Sequence, residues 1–474
     1  MGRRDVRHDS QLAFWLPVLL VLALLGGAGT AYWLDREQPN PDEQPAAVPP
    51  PAGLDLPALT DPAPVATEAV GTADPARVRR AVAPLLADAD LGPHVLATVT
   101  GLDGSVLFTK GRGTAVPAST LKLLTSAAAL HSMPADQTFA TRVVADGTRR
   151  VVLVGGGDPL LASARPARDA YPRPADVVTL ARATAQALRD AGTTEVRVGY
   201  DATLFTGPDV SPHWPDSYVP DGVVAPIRSL WVDEGRPESG IGRVDDPAQA
   251  AATAYATALG KAGITVLGTP RPRRADAAAT ELARVESPPL WQLVEHTLLH
   301  SDNEAAEVLA RQTALATGAP ATFAGGADAV LGALAELDVP TTGAEVYDGS
   351  GLSRDNRLEP ETLTALLALA GSADHPELRS VLTGLPVAGF TGSLTERFAG
   401  STIDRVGRGA VRAKTGTLTG VSGLAGTVVD RTGTPMIFTL MTDKVALLDT
   451  LDARAALDDV ASALAACRCG SIVG

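Results

Sequence analysis

Residues 12–34 carry no charged side chain, and these 23 apolar or small residues are enough to cross a hydrocarbon core as one helix. Arg3, Arg4 and Arg7 precede the run, so the basic tip is expected to stay in the cytoplasm while everything after it is exported. A cleaved signal peptide competes with this reading, because Ala28, Gly29, Thr30 and Ala31 are small. Its apolar region is usually only about 7 to 15 residues, which favours an uncleaved anchor over residues 1–34. Residues 35–75, with stretches such as PNPDEQPAAVPPPAG, show no apolar periodicity and read as an extended linker. A folded body is therefore expected only from about residue 76.

The length of 474 residues suggests about three units. Hydrophobic residues make up 45% of the chain, enough for a sizeable core, and two cysteines are too few for a disulfide scaffold. Forty basic against 54 acidic residues give a net charge of -14, which argues against nucleic acid as a partner. Export places Cys467 and Cys469 in an oxidising compartment, where they could pair or simply form a C-terminal tail.

Apolar alternation predicts strands over 94–100 and 106–109 about the turn Asp103–Gly104. In PASTLKLLTSAAAL a helix is expected to start at Ser119 as N-cap, with Leu121, Leu124 and Ala128 on one face. From residue 139 the texture turns β-rich. TRVVA and RRVVLVGGG flank Asp146–Gly147, a helix over 175–191 precedes the strand EVRVGYDATLF, and a loop with Trp214 leads to a strand over 227–232 and a helix over 247–262. Helices over 288–299 and 304–315 flank 301–303, and two more cover 324–337 and 360–369. GAVRAKTGTL, GLAGTVVD and MIFTLMTD read as strands of an antiparallel sheet, the last two joined by the turn RTGTP.

Only five lysines occur (Lys110, Lys122, Lys261, Lys414, Lys444), so arginine carries most of the generic cationic duty. A lysine can lose its proton where an arginine cannot. Ser119 and Lys122 stand three apart at a helix start, which puts a hydroxyl and an amine on one face as nucleophile and base. The bland reading is a capping serine and a surface lysine. Ser301–Asp302–Asn303 between two helices, taken alone, is a capping stretch, and Lys414–Thr415–Gly416 is a strand-end turn. In that order, however, S-x-x-K, S-D-N and K-T-G form the signature set of penicillin-binding proteins and class A β-lactamases.

Further stretches narrow the likeness: PASTLK (117–122), GGGDPLL (155–161), SDNEAAE (301–307), YDGSGLSRDN (347–356), LPVAG (385–389) and AKTGTLTGVSGLAG (413–426). The chain resembles the D-alanyl-D-alanine carboxypeptidases/endopeptidases of peptidase family S13, the class C low-molecular-mass penicillin-binding proteins, over nearly all of residues 76–465. The 182 positions between Ser119 and Ser301 agree with the insert typical of that family.

The resemblance implies an α+β fold. Its catalytic domain, residues 76–138 and 286–474, would be of the serine β-lactamase/transpeptidase type, an antiparallel sheet flanked by helices. The β-rich domain 139–285 would be inserted into it, and here it looks short, so that the third domain commonly nested there would be reduced or absent. It also implies Ser119 as nucleophile, Lys122 as its base, and Ser301 and Asn303 as proton network and substrate-amide contacts. Lys414 would supply charge for the substrate carboxylate and keep Lys122 from staying protonated. The backbone N–H groups of Ser119 and Thr417 would form the oxyanion hole, with Thr415, Gly416 and Thr417 lining the substrate edge and Arg354 facing a diaminopimelate-type carboxylate. A structural salt bridge is the alternative for Arg354. Peptidoglycan stem peptides would be the substrate and β-lactam antibiotics covalent inhibitors, with no cofactor.

Four other readings are open to the same residues. His296, His300 and Glu304, at i, i+4 and i+8, could face a metal if one helix ran through 301–303, although the HExxH order is missing. Gly420–Val421–Ser422–Gly423 misses a nucleophile elbow by one position. A serine β-lactamase, or a non-catalytic wall-binding protein of the same fold, would share the motifs.

Overall fold

Segments from both ends of the folded body combine in one sheet. The computed structural model describes residues 72–470; the apolar run 12–34 and nearly all of the linker lie outside the described residues. No described helix is long and apolar enough to cross a membrane. Helix α1 (Pro75–Val82) leads to strands β1 (Val95–Thr100) and β2 (Val106–Lys110) and to helix α2 (Lys122–Ser132).

Far along the chain come β9 (Val411–Leu418), β10 (Val421–Val429) and β11 (Pro435–Thr442), then helix α9 (Thr450–Ala466). These five strands order as β2-β1-β11-β10-β9, antiparallel throughout, with β1 on β11 from Val95↔Thr442 to Thr100↔Ile437. The two-residue period of β11 sends Ile437 and Met441 to one face and Met436, Phe438 and Leu440 to the other. Helices cover both faces: α2 and its neighbours on the first, α1 and α9 on the second. Every side chain of α2 from Lys122 to Leu130 is buried, as expected of a central helix with no polar face to solvent.

Between α2 and the later helices lies a second sheet of six strands: β3 (Ala140–Ala145), β4 (Arg150–Val154), β5 (Glu195–Asp201), β6 (Thr265–Val266), β7 (Arg271–Pro272) and β8 (Glu281–Glu286). The sheet is mixed rather than built of hairpins alone. Helices α3 (Val177–Asp190) and α4 (Pro247–Lys261) make the crossovers that parallel pairing of β4 with β5 and of β5 with β6 requires. The strand expected over 227–232 does not form. Ile227 and Trp231 instead bury in irregular chain beside Trp214, Val308 and Phe323, and the Trp231 indole N–H is satisfied by the carbonyls of Asp158 and Pro159.

Helices α5 (Leu290–His300), α6 (Asn303–Ala316), α7 (Phe323–Glu336) and α8 (Pro360–Gly371) complete the layer over the first sheet. The two cysteines close a Cys467–Cys469 disulfide, resolving the two readings of that tail.

Phe438 is fully buried in the core between the first sheet and helices α1 and α9. Phe438→Ala is expected to destabilise the protein by about 3–5 kcal/mol, read as a lower midpoint in denaturant unfolding.

Candidate active site

The backbone around Ser119 departs from the expected helix start. Ala118 holds a positive φ of 46°, the chain runs through a 3-10 turn at Ala118–Leu121, and the α-helix begins at Lys122. Ser119 therefore caps nothing. Thr120 closes the turn by donating its hydroxyl to the Pro117 carbonyl at 2.7 Å, which leaves the half-buried Ser119 hydroxyl for Lys122, whose Nζ lies 3.0 Å from Ser119 Oγ.

Ser301 and Asp302 reverse the chain between α5 and α6. Ser301 takes the left-handed conformation (φ 58°, ψ 38°), and Asp302 caps α6 by accepting from the Ala305 N–H at 2.9 Å. This brings Asn303 onto the first turn of α6 with its Oδ1 at 2.8 Å from Lys122 Nζ, although 181 positions separate the two residues. From β9, Lys414 Nζ donates to Ser301 Oγ at 2.8 Å, across 113 positions. All three motifs thus converge.

Both lysines are fully buried. Burial drives the Lys122 ammonium down to about 8, against the opposing pull of Asp348, Glu307, Asp302 and Glu304. Lys414 is lowered well below the ordinary lysine range by burial and by repulsion from Lys122 and Arg397. Burial is the largest cause at both lysines, and at Lys414 repulsion from Lys122 and Arg397 adds to it.

Two carboxylates without an assigned role in the sequence build the floor beneath Lys122. Asp348 accepts from the Trp214 indole N–H (2.7 Å), the Ser353 and Gly351 amides (2.6 and 2.9 Å) and the Asn356 side chain (2.9 Å). Glu307 accepts from the Gly349 and Ser350 amides at 2.8–3.1 Å, and its own carboxyl is pushed up to about 7 by burial and by Asp348. The loop so held presents the Ser350 carbonyl to Lys122 Nζ at 2.7 Å. One signal was available in the sequence: Glu307 stands four residues after Asn303, on the same helical face.

The loop between β5 and α4 walls the site. The Val223 carbonyl accepts from Asn303 Nδ2 at 3.3 Å, and Glu304 accepts from the Ala225 amide (3.0 Å) and from Arg243 Nε (2.7 Å) in a buried ion pair. Glu304 is therefore engaged, and α5 ends at His300, so His296, His300 and Glu304 do not share one helix face. His296 instead meets Asp302 at 3.2 Å. Ser422 of the near-elbow is buried in β10 and donates to the Thr450 carbonyl at 3.3 Å.

β9 is the outermost strand of its sheet. Its residues 411 and 413 bond outward to Ala388 and Pro386, so the same parity turns the backbone of Thr415 and Thr417 outward beyond that contact. The Thr415 hydroxyl lies 2.9 Å from that of Ser393, and the Thr417 side chain is exposed. Gly416 also meets a packing need. A Cβ there would lie 2.6 Å from the Pro117 carbonyl oxygen, so glycine lets β9 lie against the turn that carries Ser119. Among the described residues Arg354 makes no salt bridge; its Nη2 donates to the Thr419 carbonyl at 3.0 Å, tying its loop to the β9–β10 turn.

The model of the D-Ala-D-Ala carboxypeptidase 3 (S13) family matches residues 78–241 and 236–464. A carboxypeptidase of Mycobacterium tuberculosis is 37% identical over 419 residues, covering 86% of this chain and 87% of its own length. The carboxypeptidase DacB of Mycolicibacterium smegmatis is 35% identical over 477 residues, covering 98% of this chain and 99% of its own. Among solved structures, penicillin binding protein 4 (dacB) of Haemophilus influenzae shares the fold. Its TM-score is 0.64 at 19% identity, over 82% of this chain and 98% of that one, and it has also been solved in complex with a β-lactam.

Gly351 has a φ of 83°, and a Cβ there would overlap the Ala118 carbonyl. Gly351→Ala is expected to cost at least about 2 kcal/mol, from left-handed strain and this clash together, read as a lower thermal midpoint.

Proposed function

The chain belongs to the D-Ala-D-Ala carboxypeptidase 3 (S13) family, and on that premise we propose that Ser119 is acylated by the penultimate D-alanine of peptidoglycan stem peptides, and by penicillins at the same atom. The observation that carries this reading is the set of partners around Lys122 Nζ: Asn303 Oδ1 at 2.8 Å, the Ser350 carbonyl at 2.7 Å and Ser119 Oγ at 3.0 Å. The first two can only accept. A neutral amine has two N–H groups and one lone pair, so with both hydrogens directed at those oxygens the lone pair faces the Ser119 hydroxyl.

In the proposed reaction Ser119 Oγ attacks the carbonyl as Lys122 takes the hydroxyl proton, and the proton passes to the leaving amine of the terminal D-alanine as the peptide bond breaks. Water then hydrolyses the ester. The backbone N–H groups of Ser119 and Thr417 are the donors assigned to the oxyanion, a term worth about 10²–10³ in rate per donor. The outward parity of Thr415 and Thr417 supports pairing of the substrate backbone along β9.

Lys414, bonded to Ser301 Oγ and to the Thr415 carbonyl and in no salt bridge among the described residues, is assigned the substrate carboxylate. That anion would favour charge at Lys414 and, by repulsion, the neutral amine at Lys122. Arg354, at the β9–β10 turn, is the cation assigned to a side-chain carboxylate of the stem peptide. Residues 76–138 and 286–474 are proposed as the catalytic unit and 139–285 as its insert. The whole acts outside the cytoplasm, held by residues 12–34, and the C-terminal disulfide agrees with an oxidising compartment.

Fluorescent penicillin should label the protein covalently, with the label lost in Ser119→Ala and a wild type that takes no label refuting the assignment. A long-lived adduct is expected, and rapid turnover would identify a β-lactamase instead. Lys122→Arg should slow acylation by about 10²–10⁴, because a guanidinium does not release its proton. Since Lys122 is a base only when unprotonated, acylation should rise with pH through about 8 and then level off. A rate that falls over that range in stopped-flow measurements would contradict the role.

A further inference from the structure

Behind the Ser301–Asn303 turn stands a group of ligand-bearing side chains that acyl transfer does not use. Glu234, His296 and Asp302 bring one ring nitrogen and two carboxylate oxygens to within 4.8 Å of one another. They come from three segments: the loop after β5, helix α5 and the turn into α6. His300 lies one helical turn beyond His296, the two ring centroids 4.8 Å apart. Two cavities of about 370 and 320 Å³ open here, and both are lined by Glu234, His296 and His300.

We infer that this cluster binds a single divalent metal ion of the zinc class. One histidine joined by two carboxylates from other segments forms a donor set suited to such an ion, with His300 and the cavities beside it leaving room for water ligands. The carboxylates are already oriented by other bonds. Asp302 Oδ1 accepts from the Ala305 amide at 2.9 Å while Oδ2 faces His296, and Arg236 engages Glu234 at Oε2 only, at 3.0 and 3.3 Å. The ion would replace the His296–Asp302 hydrogen bond and add charge where Glu234, Asp302 and Glu304 gather around Arg236 and Arg243. It would also cross-link the loop that walls the site to the turn that carries Ser301 and Asn303. Stability would then depend on metal concentration.

The test uses the full chain, stripped with chelator and titrated with Zn²⁺ alone by calorimetry, then with Co²⁺ while its visible absorption is followed. The expected result is one ion per chain, a zinc-dependent rise in thermal midpoint, and a cobalt spectrum of nitrogen and oxygen ligation. His296→Gln and Glu234→Gln should each weaken binding at least about tenfold, while His131→Gln at the far end of α2 binds as wild type does. Absence of saturable binding, or affinity unchanged in both cluster variants, overturns the inference. If either variant misfolds by circular dichroism, the wild-type stoichiometry and cobalt spectrum decide alone. Since the readout is metal binding, its outcome is independent of whether Ser119 takes a penicillin label.

Discussion

A buried amine with its hydrogens spoken for is the constraint around which the molecule is arranged. Lys122 has no exposed surface, and its charge is held down by burial while four carboxylates oppose the shift. Such an amine is tolerable only where every polar partner is supplied by the protein, since a buried unpaired donor costs about 1–3 kcal/mol. The partners are Asn303 from α6, the Ser350 carbonyl from a loop held by Glu307 and Asp348, and Ser119 from the turn before α2. Each has to be placed from a different part of the chain.

The rest of the architecture meets that requirement through close approach. Gly416 lets β9 lie on the Pro117–Ala118 turn, Gly351 lets the Asp348 loop lie on Ala118, and the positive φ of Ala118 aims Ser119 away from a capping role. Further out, Arg397 and Asp458 form a buried pair that places a guanidinium where it repels Lys414. The second sheet contributes from outside. Its Gly156 and Gly157 carbonyls accept from Gln312 of α6, and the loop beyond β5 covers Asn303 and Glu304. The chain between α2 and α5 thus touches the helix that carries the second motif, which gives the second sheet a physical link to the site.

Much of this was legible in the residues. The strands of the first sheet announce themselves by two-residue alternation, and the helices by caps and spacing, because those signals are local. Ser119, Lys122, Ser301, Asn303 and Lys414 could be picked out because three short motifs occur in order and lysine is scarce. What escaped were effects of contact at long range. The run 227–232 looked like a strand because it is apolar, yet its apolar side chains are buried against helices and its indole N–H is satisfied by loop carbonyls. Ser119 looked like an N-cap because serine favours that position, yet tertiary contacts impose a 3-10 turn there.

The sequence by itself determined the Ser119–Lys122 spacing, the family to which the chain belongs and the strands of the main sheet, since each rests on short local patterns. The tertiary structure alone decided that both lysines lie below the ordinary lysine range, because burial and carboxylate proximity are properties of the assembled site. It also decided that Gly416 lies against the turn carrying Ser119, and that His296 faces Glu234 and Asp302 instead of Glu304. Those outcomes turn on distances of a few ångströms between residues tens to hundreds of positions apart, which no local pattern encodes.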